Sequence, residues 1–451
     1  MTLSDYSISR FTLAEPLPGG RTALFNTLTQ ALAVVPAEVW AEATAGAQDP
    51  SLEDLAAEGF LVETGLDEDL VLAHWRASQA YDLSHLTYIV SPTRACNMAC
   101  SYCVHGSKKR AEHMSLDTAQ AVLEFISADL ETKRPLDVRL DFGGAEPLVN
   151  PRVVFHLSET LAAICRRQGL GLRISLITNG LALDPDLVTG LKPFGLGRIR
   201  VTVSGPAEVH DRCRPAKDGG PTYGRILSNL ERVAGMVEIG LTGQYNPEQG
   251  EHLRFPELLA DLAARGLRDH LNDVSFGPVV PVDPAEILGP PRTGETDCLK
   301  DEDPGRVIWL QDQVTKRGFK TASGPPANRC LANYRNSLII DPDGRFIVCP
   351  SMMDYPDLEY GGVHSGVDFR REARLLARNL PEECRRRCVL APLCDGGCRH
   401  QALIRTGNFD GVNCLRWSYE HLTRAYVRQA AYLIYPPFEY FEKTAAGASV
   451  G

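Results

Sequence analysis

The sequence predicts an α/β protein built around a partial (β/α)6 TIM-like barrel, with a small α+β domain before it and a cysteine-rich domain after it. Between residues 81 and 320, six short β-branched runs alternate with amphipathic stretches, the pattern of a parallel sheet covered by helices. Residues 1–80 show a different order and form a separate unit. Residues 321–443 are rich in cysteine and turn residues, and residues 444–451 are small and polar, typical of a disordered tail.

Composition and charge exclude several classes of function. The 451 residues are 44% hydrophobic and 23% charged, as in a soluble globular protein. The net charge of −10 argues against a nucleic-acid partner, which usually requires a basic face. No run of about 18 apolar residues occurs, so we expect no membrane span. The first residues show no signal-peptide pattern, so we expect a cytoplasmic protein whose 13 cysteines bind metal rather than form disulfides.

The N-terminal unit combines strands and short helices. The predicted elements are strands at Tyr6–Ala14, Arg21–Asn26 and Gly59–Val62, helices at Ala37–Thr44 and Leu52–Glu58, and a turn at Pro16–Gly20. This order resembles the small winged-helix domain that binds leader peptides in enzymes that mature ribosomal peptides. The alternative is a structural extension packed on the barrel.

The barrel strands and helices alternate along the chain. The predicted strands are Leu86–Val90, Val138–Phe142, Ile174–Ile177, Ile199–Val203, Leu241–Tyr245 and Val274–Val280. The predicted helices are Leu116–Leu130, Val153–Gln168, Pro185–Leu191, Tyr223–Val237, Pro256–Arg265 and Gly305–Arg317, and residues 282–303 are a loop. Because the strands are parallel, reactive side chains are expected at their carboxyl ends.

Three cysteines follow the first barrel strand at a spacing that points to an iron–sulfur cluster. Cys96, Cys100 and Cys103 form a C-x3-C-x2-C motif. Three thiolates bind three irons of a [4Fe-4S] cluster and leave the fourth iron open to a ligand that is not protein. With Tyr102 before the last cysteine, the motif resembles that of the radical S-adenosylmethionine (AdoMet) enzymes. The alternative is a zinc site in which His105 is the fourth ligand.

A glycine-rich turn follows the second strand. Its residues, 143–147, read Gly-Gly-Ala-Glu-Pro, and small residues let a backbone approach a ligand closely. The turn resembles the Gly-Gly-Glu-Pro motif of the same family, with Ala145 where the second glycine usually stands. The resemblance implies that Gly144, Ala145 and Glu146 bind AdoMet and that the Glu146 carboxylate accepts a hydrogen bond from its amino group.

Four further residues resemble family positions that line the AdoMet ribose and carboxylate. Asn179 closes the third strand, and Thr202 and Ser204 close the fourth, with Ser204 where the family commonly has an aspartate. Arg214 follows, and a guanidinium matches a carboxylate geometrically. The resemblance therefore implies that Arg214 clamps the AdoMet carboxylate. Ordinary turn chemistry is the alternative for Asn179 and Thr202.

The C-terminal cysteines form a second pattern. They are Cys330, Cys349, Cys384, Cys388, Cys394, Cys398 and Cys414, and a hairpin is predicted over Asn336–Val348 with its turn at residues 342–344. The pattern resembles the SPASM domain, which carries auxiliary clusters in many peptide-modifying members of the family. The resemblance implies one [4Fe-4S] cluster on Cys384, Cys388, Cys394 and Cys414, and another on Cys330, Cys349 and Cys398.

The remaining ligand of the second auxiliary cluster stays open. Cys298 would complete that set, or the free iron would bind substrate. Structural zinc is an alternative for the C-terminal cysteines, because spacing alone does not separate zinc from iron–sulfur ligation. Cys165 lies in an apolar helix and is interpreted as a core residue, and Cys213 has no visible partner.

The resemblance implies a peptide maturase. The cluster on Cys96, Cys100 and Cys103, reduced by a partner such as flavodoxin or ferredoxin, would cleave AdoMet, and the resulting 5′-deoxyadenosyl radical would take hydrogen from a precursor peptide. The product would be a thioether, ether or carbon–carbon crosslink or another oxidised residue. A formylglycine-generating sulfatase maturase is one alternative, although Pro350 stands where those enzymes have an aspartate base. A non-catalytic iron–sulfur electron carrier is the other.

Overall fold

The computed structural model describes residues 6–45, 51–103, 112–279, 304–321, 324–327, 330–353 and 355–435. The predictions for Cys298, His105, the loop at residues 282–303 and the tail at residues 444–451 lie outside the described residues. No helix in the described ranges is both long enough and apolar enough to cross a membrane.

The N-terminal unit contains five strands and three helices. These are β1 (Tyr6–Ile8), β2 (Thr12–Leu17), β3 (Arg21–Asn26), β4 (Leu32–Pro36), α1 (Ala37–Thr44), α2 (Ser51–Ala57), β5 (Leu61–Glu63) and α3 (Glu68–Tyr81). Strands β2, β3 and β4 form an antiparallel sheet, and β1 pairs with β5. The sequence analysis did not predict β4 or α3.

The single strand predicted over Tyr6–Ala14 is interrupted. The Ser9 hydroxyl donates to Oε1 of Glu68 at 2.7 Å, and the Arg10 amide donates to Oε2 of the same residue at 3.0 Å. Glu68, at the start of α3, therefore binds Ser9 and Arg10, and these two residues separate β1 from β2. The interruption depends on a contact between residues about sixty positions apart, which local patterns do not reveal.

The barrel contains the six parallel strands that the sequence predicts. They are β6 (His85–Val90), β7 (Asp137–Phe142), β8 (Gly171–Thr178), β9 (Leu196–Thr202), β10 (Glu238–Tyr245) and β11 (Leu271–Pro278). The helices are α4 (Leu116–Lys133), α5 (Pro151–Gln168), α6 (Pro185–Leu191), α7 (Ala207–Cys213), α8 (Tyr223–Val233), α9 (Phe255–Ala264) and α10 (Pro304–Lys316). The α/β fold class is confirmed. Helix α7 was not predicted, and α8 ends four residues early because Gly235 adopts a left-handed conformation with φ of 76°.

Each barrel strand presents one apolar and one polar face. On β9, Ile199 and Val201 are fully buried within the large core cluster that also contains residues of the barrel helices. Arg198 and Arg200 alternate with them and therefore face the barrel interior. The main core consequently lies between sheet and helices, while the lumen is polar.

The C-terminal region adds short elements and one long helix. They are β12 (Ser337–Ile340), β13 (Phe346–Ile347), β14 (Gly361–Gly362), β15 (Gly366–Val367), α11 (Phe369–Leu376), α12 (Glu382–Arg387), α13 (Ala391–Cys394), α14 (Arg399–Thr406) and α15 (Arg416–Ile434). The β12–β13 hairpin agrees with the prediction. Strand β12 also pairs in parallel with β6, so the barrel sheet has eight strands in the order β11-β10-β9-β8-β7-β6-β12-β13. This pairing covers an otherwise open sheet edge.

The N-terminal unit packs against the cysteine-rich region. Leu13 and Phe25 share a core cluster with Val427 of α15, and Glu15 forms an ion pair with Arg424 at 2.9 Å. Cys388 packs at the edge of the same cluster. The unit therefore forms one wall of a cysteine site, which differs from the expected packing on the barrel.

Candidate functional site

The barrel residues singled out by sequence meet at the carboxyl ends of the parallel strands. The loop after β6 carries Cys96, Cys100 and Cys103, the turn after β7 carries residues 143–146, and Asn179 follows β8. All three cysteines are free thiols that are partly exposed. The sheet topology thus gathers groups that are more than eighty residues apart in sequence at one edge.

Backbone hydrogen bonds hold the cysteine loop against the segment after α7. The Ala99 amide donates to the Pro215 carbonyl at 2.9 Å, and the Ser101 amide donates to the Cys213 carbonyl at 3.0 Å. Met98, directly before Ala99, is buried. Because Arg214 lies between these two acceptor residues, the same contacts place its side chain beside the cysteine loop.

Asn179 links the end of β8 directly to the first cysteine. Its amide nitrogen Nδ2 donates to Sγ of Cys96 at 3.7 Å and to Oδ1 of Asn97 at 2.7 Å. The Met98 amide also donates to Sγ of Cys96 at 3.4 Å. Donors to a sulfur favour its thiolate form and tune the reduction potential of a bound cluster. Asn179 therefore has a contact that ordinary turn chemistry does not explain.

Tyr102 organises a second group of polar side chains. Its hydroxyl lies 2.9 Å from Oγ of Ser204, donates to Oε1 of Gln244 at 3.2 Å, and accepts from Nη1 of Arg214 at 2.8 Å. Burial raises the pKa of Tyr102, so the phenol stays protonated. Three of the predicted residues are thus in one network, and Gln244 joins them although the sequence analysis did not single it out.

Arg214 is a buried cation that lacks a carboxylate partner within the described ranges. The residue is 6% exposed, and its Nε has no hydrogen-bond partner there. Burial acts to lower the pKa of Arg214, but the neighbouring Tyr102 and Cys100 raise it, so the guanidinium remains charged. A buried charge is costly unless it is paired. This orphaned donor fits an anionic ligand such as the AdoMet carboxylate.

His210 supports this network and was not predicted. Its Nδ1 accepts from the Ser204 amide at 3.1 Å, and its Nε2 lies 3.2 Å from Oγ1 of Thr222. Burial lowers the pKa of His210 to about 3, so the ring is neutral at neutral pH. Because Nδ1 accepts, the proton lies on Nε2. In the sequence, nothing distinguishes His210 from a surface histidine.

Glu146 has a different environment from the one expected. Its side chain is 1% exposed and accepts from the Leu148 amide at 3.0 Å, from Oγ1 of Thr178 at 2.7 Å and from the Asn179 amide at 2.7 Å. Burial raises the pKa of Glu146, and these donors lower it. These contacts show the carboxylate holding Asn179 in place, a role that the sequence analysis did not foresee. Its contact with the AdoMet amino group stays a prediction.

The remaining predicted AdoMet residues line the same edge. Thr202 is half-buried, with Oγ1 at 3.3 Å from Oγ1 of Thr242. Gly144 adopts φ of 103°, and Ala145 follows it in the turn. Their contacts with AdoMet stay predictions.

Gly144 is a position in this turn where a side chain is poorly tolerated. A Cβ atom there would lie 2.8 Å from Cβ of Ser91 and would also contact its hydroxyl. We expect Gly144→Ala to lower the free energy of unfolding by about 3 kcal/mol, since a left-handed backbone alone costs about 1–2 kcal/mol. Urea unfolding measures this loss.

Gly169 provides the control for that substitution. It also has a positive φ, of 70°, but a Cβ atom there would meet nothing within 4 Å. Gly169→Ala should therefore lower the free energy of unfolding only by the cost of the left-handed backbone, about 1 kcal/mol. Equal losses in the two variants would show that the contact with Ser91 has no energetic weight.

The seven C-terminal cysteines form two groups that match the two predicted sets. Burial, together with the thiolates of Cys398 and Cys330, raises the pKa of Cys349 to about 11. Burial raises the pKa of Cys394 to about 12, and the other thiolates of its set act in the same direction. For Cys384, Cys388 and Cys398 as well, the thiolates that raise the pKa belong to the same predicted set as the residue itself. Thiols of one predicted set are therefore electrostatic neighbours, and both the ligand sets and metal binding stay predictions.

A polar network surrounds the two cysteine sets. Asp395, directly after Cys394, pairs with Arg76 of α3 at 2.8 Å and accepts from Asn333 at 2.6 Å. The buried Arg378 donates to the carbonyls of Asp395 and Gly396 at 3.3 and 3.1 Å. These contacts connect both sets to the N-terminal unit.

Neither metal alternative is decided by the side-chain arrangement in the part of the chain that the structure describes. No group of three or more His, Cys, Asp or Glu side chains there is arranged to hold a single metal ion. Every cysteine in those ranges is a free thiol.

Comparison with known proteins places these features in a family. Residues 90–252 match the model of the Radical SAM superfamily. The chain is 24% identical over 348 residues to the PqqA peptide cyclase of Gluconobacter oxydans (strain 621H), covering 72% of this chain and 88% of that relative. It is 31% identical over 163 residues to the GTP 3′,8-cyclase of Synechococcus sp. (strain CC9902), spanning 36% of this chain and 44% of that relative.

Solved structures share the fold. Native anSMEcpe with bound AdoMet has a TM-score of 0.57 at 17% identity, covering 77% of this chain and 98% of that chain. Streptococcus suis SuiB bound to S-adenosylmethionine has a TM-score of 0.52 at 14% identity, covering 90% of this chain and 98% of that chain. Together with the cysteine loop and the orphaned cation beside it, the match over residues 90–252 identifies this segment as a Radical SAM domain, whose cofactors are a [4Fe-4S] cluster and AdoMet.

Proposed function

We propose that this chain is a radical SAM peptide maturase that acts on a ribosomally made precursor peptide and forms a crosslink or another oxidised residue. The observation that carries the proposal is the match to a PqqA peptide cyclase over 88% of that relative's length. Two structures with the same fold contain peptides, namely SuiB with the precursor peptide SuiA and anSMEcpe with the Cp18Cys peptide.

The residues of the barrel edge have distinct tasks in this reaction. Cys96, Cys100 and Cys103 would hold the cluster, which with AdoMet supplies the 5′-deoxyadenosyl radical. Arg214 would bind the AdoMet carboxylate through its free Nε, and Tyr102 holds the guanidinium in place. Burial of this network excludes water, which would otherwise quench a reactive species.

The C-terminal region would be a SPASM domain with two auxiliary clusters. Their ligands would be the two cysteine sets, and the mutual electrostatic influence of the thiolates within each set supports this grouping. The clusters would accept an electron from the substrate or orient it. The N-terminal unit would bind the leader of the precursor peptide, and its packing against Cys388 supports a connection between the two. A flavodoxin or ferredoxin would supply electrons in the cytoplasm.

Anaerobic turnover tests the proposal. Reconstituted protein with dithionite and AdoMet should form 5′-deoxyadenosine, and a peptide encoded beside the gene and co-expressed with the protein should lose two hydrogens in mass spectrometry. Absence of 5′-deoxyadenosine, even with the peptide present, would indicate an electron carrier instead.

The sulfatase-maturase alternative is tested in the same way. Its expected base position is occupied by Pro350, which begins a short 3-10 helix and has no proton-accepting side chain. Conversion of a sulfatase-derived cysteine peptide to formylglycine would favour that alternative over crosslinking. We expect no such conversion.

A further inference from the structure

The barrel lumen contains a charged cavity that the proposed chemistry does not use. Its volume is about 470 Å³, and its charged and hydroxyl-bearing lining residues are Arg139, Arg173, Ser175, Arg198, Arg200 and Glu238. Small closed barrels usually fill their interior with branched apolar side chains. Four guanidinium groups around an open space are instead typical of an anion-binding site.

Strand pairing brings these arginines together from three different strands. Arg139 of β7 lies directly opposite Arg173 of β8. On the next strand, Arg198 lies opposite Ser175, two residues along β8 from Arg173. Like charges directly opposite each other in a sheet are destabilising. Arg139 and Arg173 are exposed, so solvent screens part of this repulsion, and an anion between the guanidinium groups would relieve the rest.

The acidic groups nearby do not neutralise all four arginines. Arg139 pairs with Asp141 at 2.7 Å, and Asp273 alone serves both Arg198 and Arg200. The exposed side chain of Arg173 makes no hydrogen bond or ion pair with any residue that the structure describes. Glu238 also lines the cavity. Arg173 is thus the free cation of the lumen among the described residues.

The cavity lies below the barrel edge that carries the cysteine loop, on the same face of the sheet. Ser204, which contacts Tyr102, is followed down β9 by Thr202, Arg200 and Arg198 at alternate positions. At about 3.3 Å per residue, Arg200 lies about 13 Å from Ser204 along the strand. An extended peptide spans this distance with about four residues.

We propose, building on the function proposed above, that this cavity is a carboxylate subsite that holds an acidic side chain of the peptide substrate. The acidic residue would lie within about four positions of the residue that is modified. The cavity is large enough for a glutamate side chain, and Arg173 supplies the unpaired donor. The subsite would set the register of the peptide in the lumen.

Binding of simple probes to the holoenzyme, with AdoMet present, tests this subsite without turnover. The probe is a fluorescein-labelled oligoglutamate peptide amide, with the matching oligoglutamine as reference, measured by anaerobic fluorescence polarisation. We expect the glutamate probe to bind and the glutamine probe not to bind. Arg173→Gln should lower the affinity for the glutamate probe by about tenfold, the loss expected when one charge-assisted hydrogen bond is removed.

Two variants sharpen the test. Arg167→Gln removes an exposed arginine from the outer helix α5 and should bind the glutamate probe like the wild type. Arg173→Glu should reject the glutamate probe and gain affinity for an oligolysine probe. Equal affinity of the wild type and Arg173→Gln, or no binding of the glutamate probe to the wild type, would overturn the proposal.

Inorganic tripolyphosphate distinguishes a phosphate site from a carboxylate site. If it displaces the glutamate probe more strongly than unlabelled oligoglutamate does, the cavity selects phosphate and the proposal is wrong. Failure of the proposed function would appear instead as unmodified precursor peptide in the turnover assay, whatever the probes show.

Discussion

Cys103→Ala is expected to abolish formation of 5′-deoxyadenosine. The C-x3-C-x2-C loop supplies three thiolates, and losing one leaves two protein ligands for a [4Fe-4S] cluster. The loop is held to the segment around Arg214 by backbone hydrogen bonds, so the backbone should persist in the variant. We therefore expect activity to fall by at least about a thousandfold with little change in fold. Chromatography of the nucleoside after dithionite addition measures the loss.

Iron content and a matched cysteine variant serve as controls for this result. The variant should contain about four iron atoms fewer per chain than the wild type. Cys165→Ala removes a thiol that is 1% exposed and packed in the core of α5, so its iron content and nucleoside yield should match those of the wild type. Normal 5′-deoxyadenosine formation by Cys103→Ala would contradict the assignment of the radical cluster.

Cys394→Ala is expected to separate AdoMet cleavage from product formation. Cys394 belongs to the cysteine set in the C-terminal region, apart from the barrel edge that carries Arg214 and Tyr102. The variant should still form 5′-deoxyadenosine, but the peptide should lose no hydrogens. Comparison of the nucleoside yield with the peptide mass in one reaction measures both.

The iron content again provides an independent readout. Cys394→Ala should lose about four iron atoms per chain, whereas the signal of the radical cluster in electron paramagnetic resonance should remain. Full product with this variant would refute the auxiliary role. Loss of AdoMet cleavage together with normal folding would show that the two regions are coupled more tightly than their separation suggests.

Part of the fold was predictable and was missed. Helix α3 carries local signals, because the Asp67 side chain caps its first turn by accepting from the amides of Asp69 and Leu70, and Glu68 and Asp69 follow. The parallel pairing of β12 with β6 is different. It joins residues about 250 positions apart, so no local pattern predicts it.

The candidate site also combines features that local sequence predicts with features that depend on distant contacts. The spacing of Cys96, Cys100 and Cys103 predicted where the site lies, because those residues are close in the chain. The carboxylate of Glu146 is held by donors from the end of β8, and the pKa of His210 is lowered by its burial. The Glu146 contacts form only when the turn after β7 meets the end of β8, and the burial of His210 requires the packed barrel around it.

The arrangement of the lumen arginines was predictable from the sequence only in part. Their alternation is visible in the sequence, since Arg198 and Arg200 are separated by one buried isoleucine, and it indicates a polar inner face. A strand with both faces buried in a parallel sheet would instead be a nearly continuous apolar run. Their convergence on one cavity requires the register between strands.

The sequence by itself determined the six strands of the barrel and the place of the Cys96, Cys100 and Cys103 motif after the first of them, because hydrophobic periodicity and short covalent spacing are local properties. The tertiary structure decided which buried charges stay unpaired, namely Arg214 at the barrel edge, and which cation of the lumen is free, namely Arg173. The physical reason is that pairing and burial depend on neighbours from distant segments, which come together only after the strands have found their register.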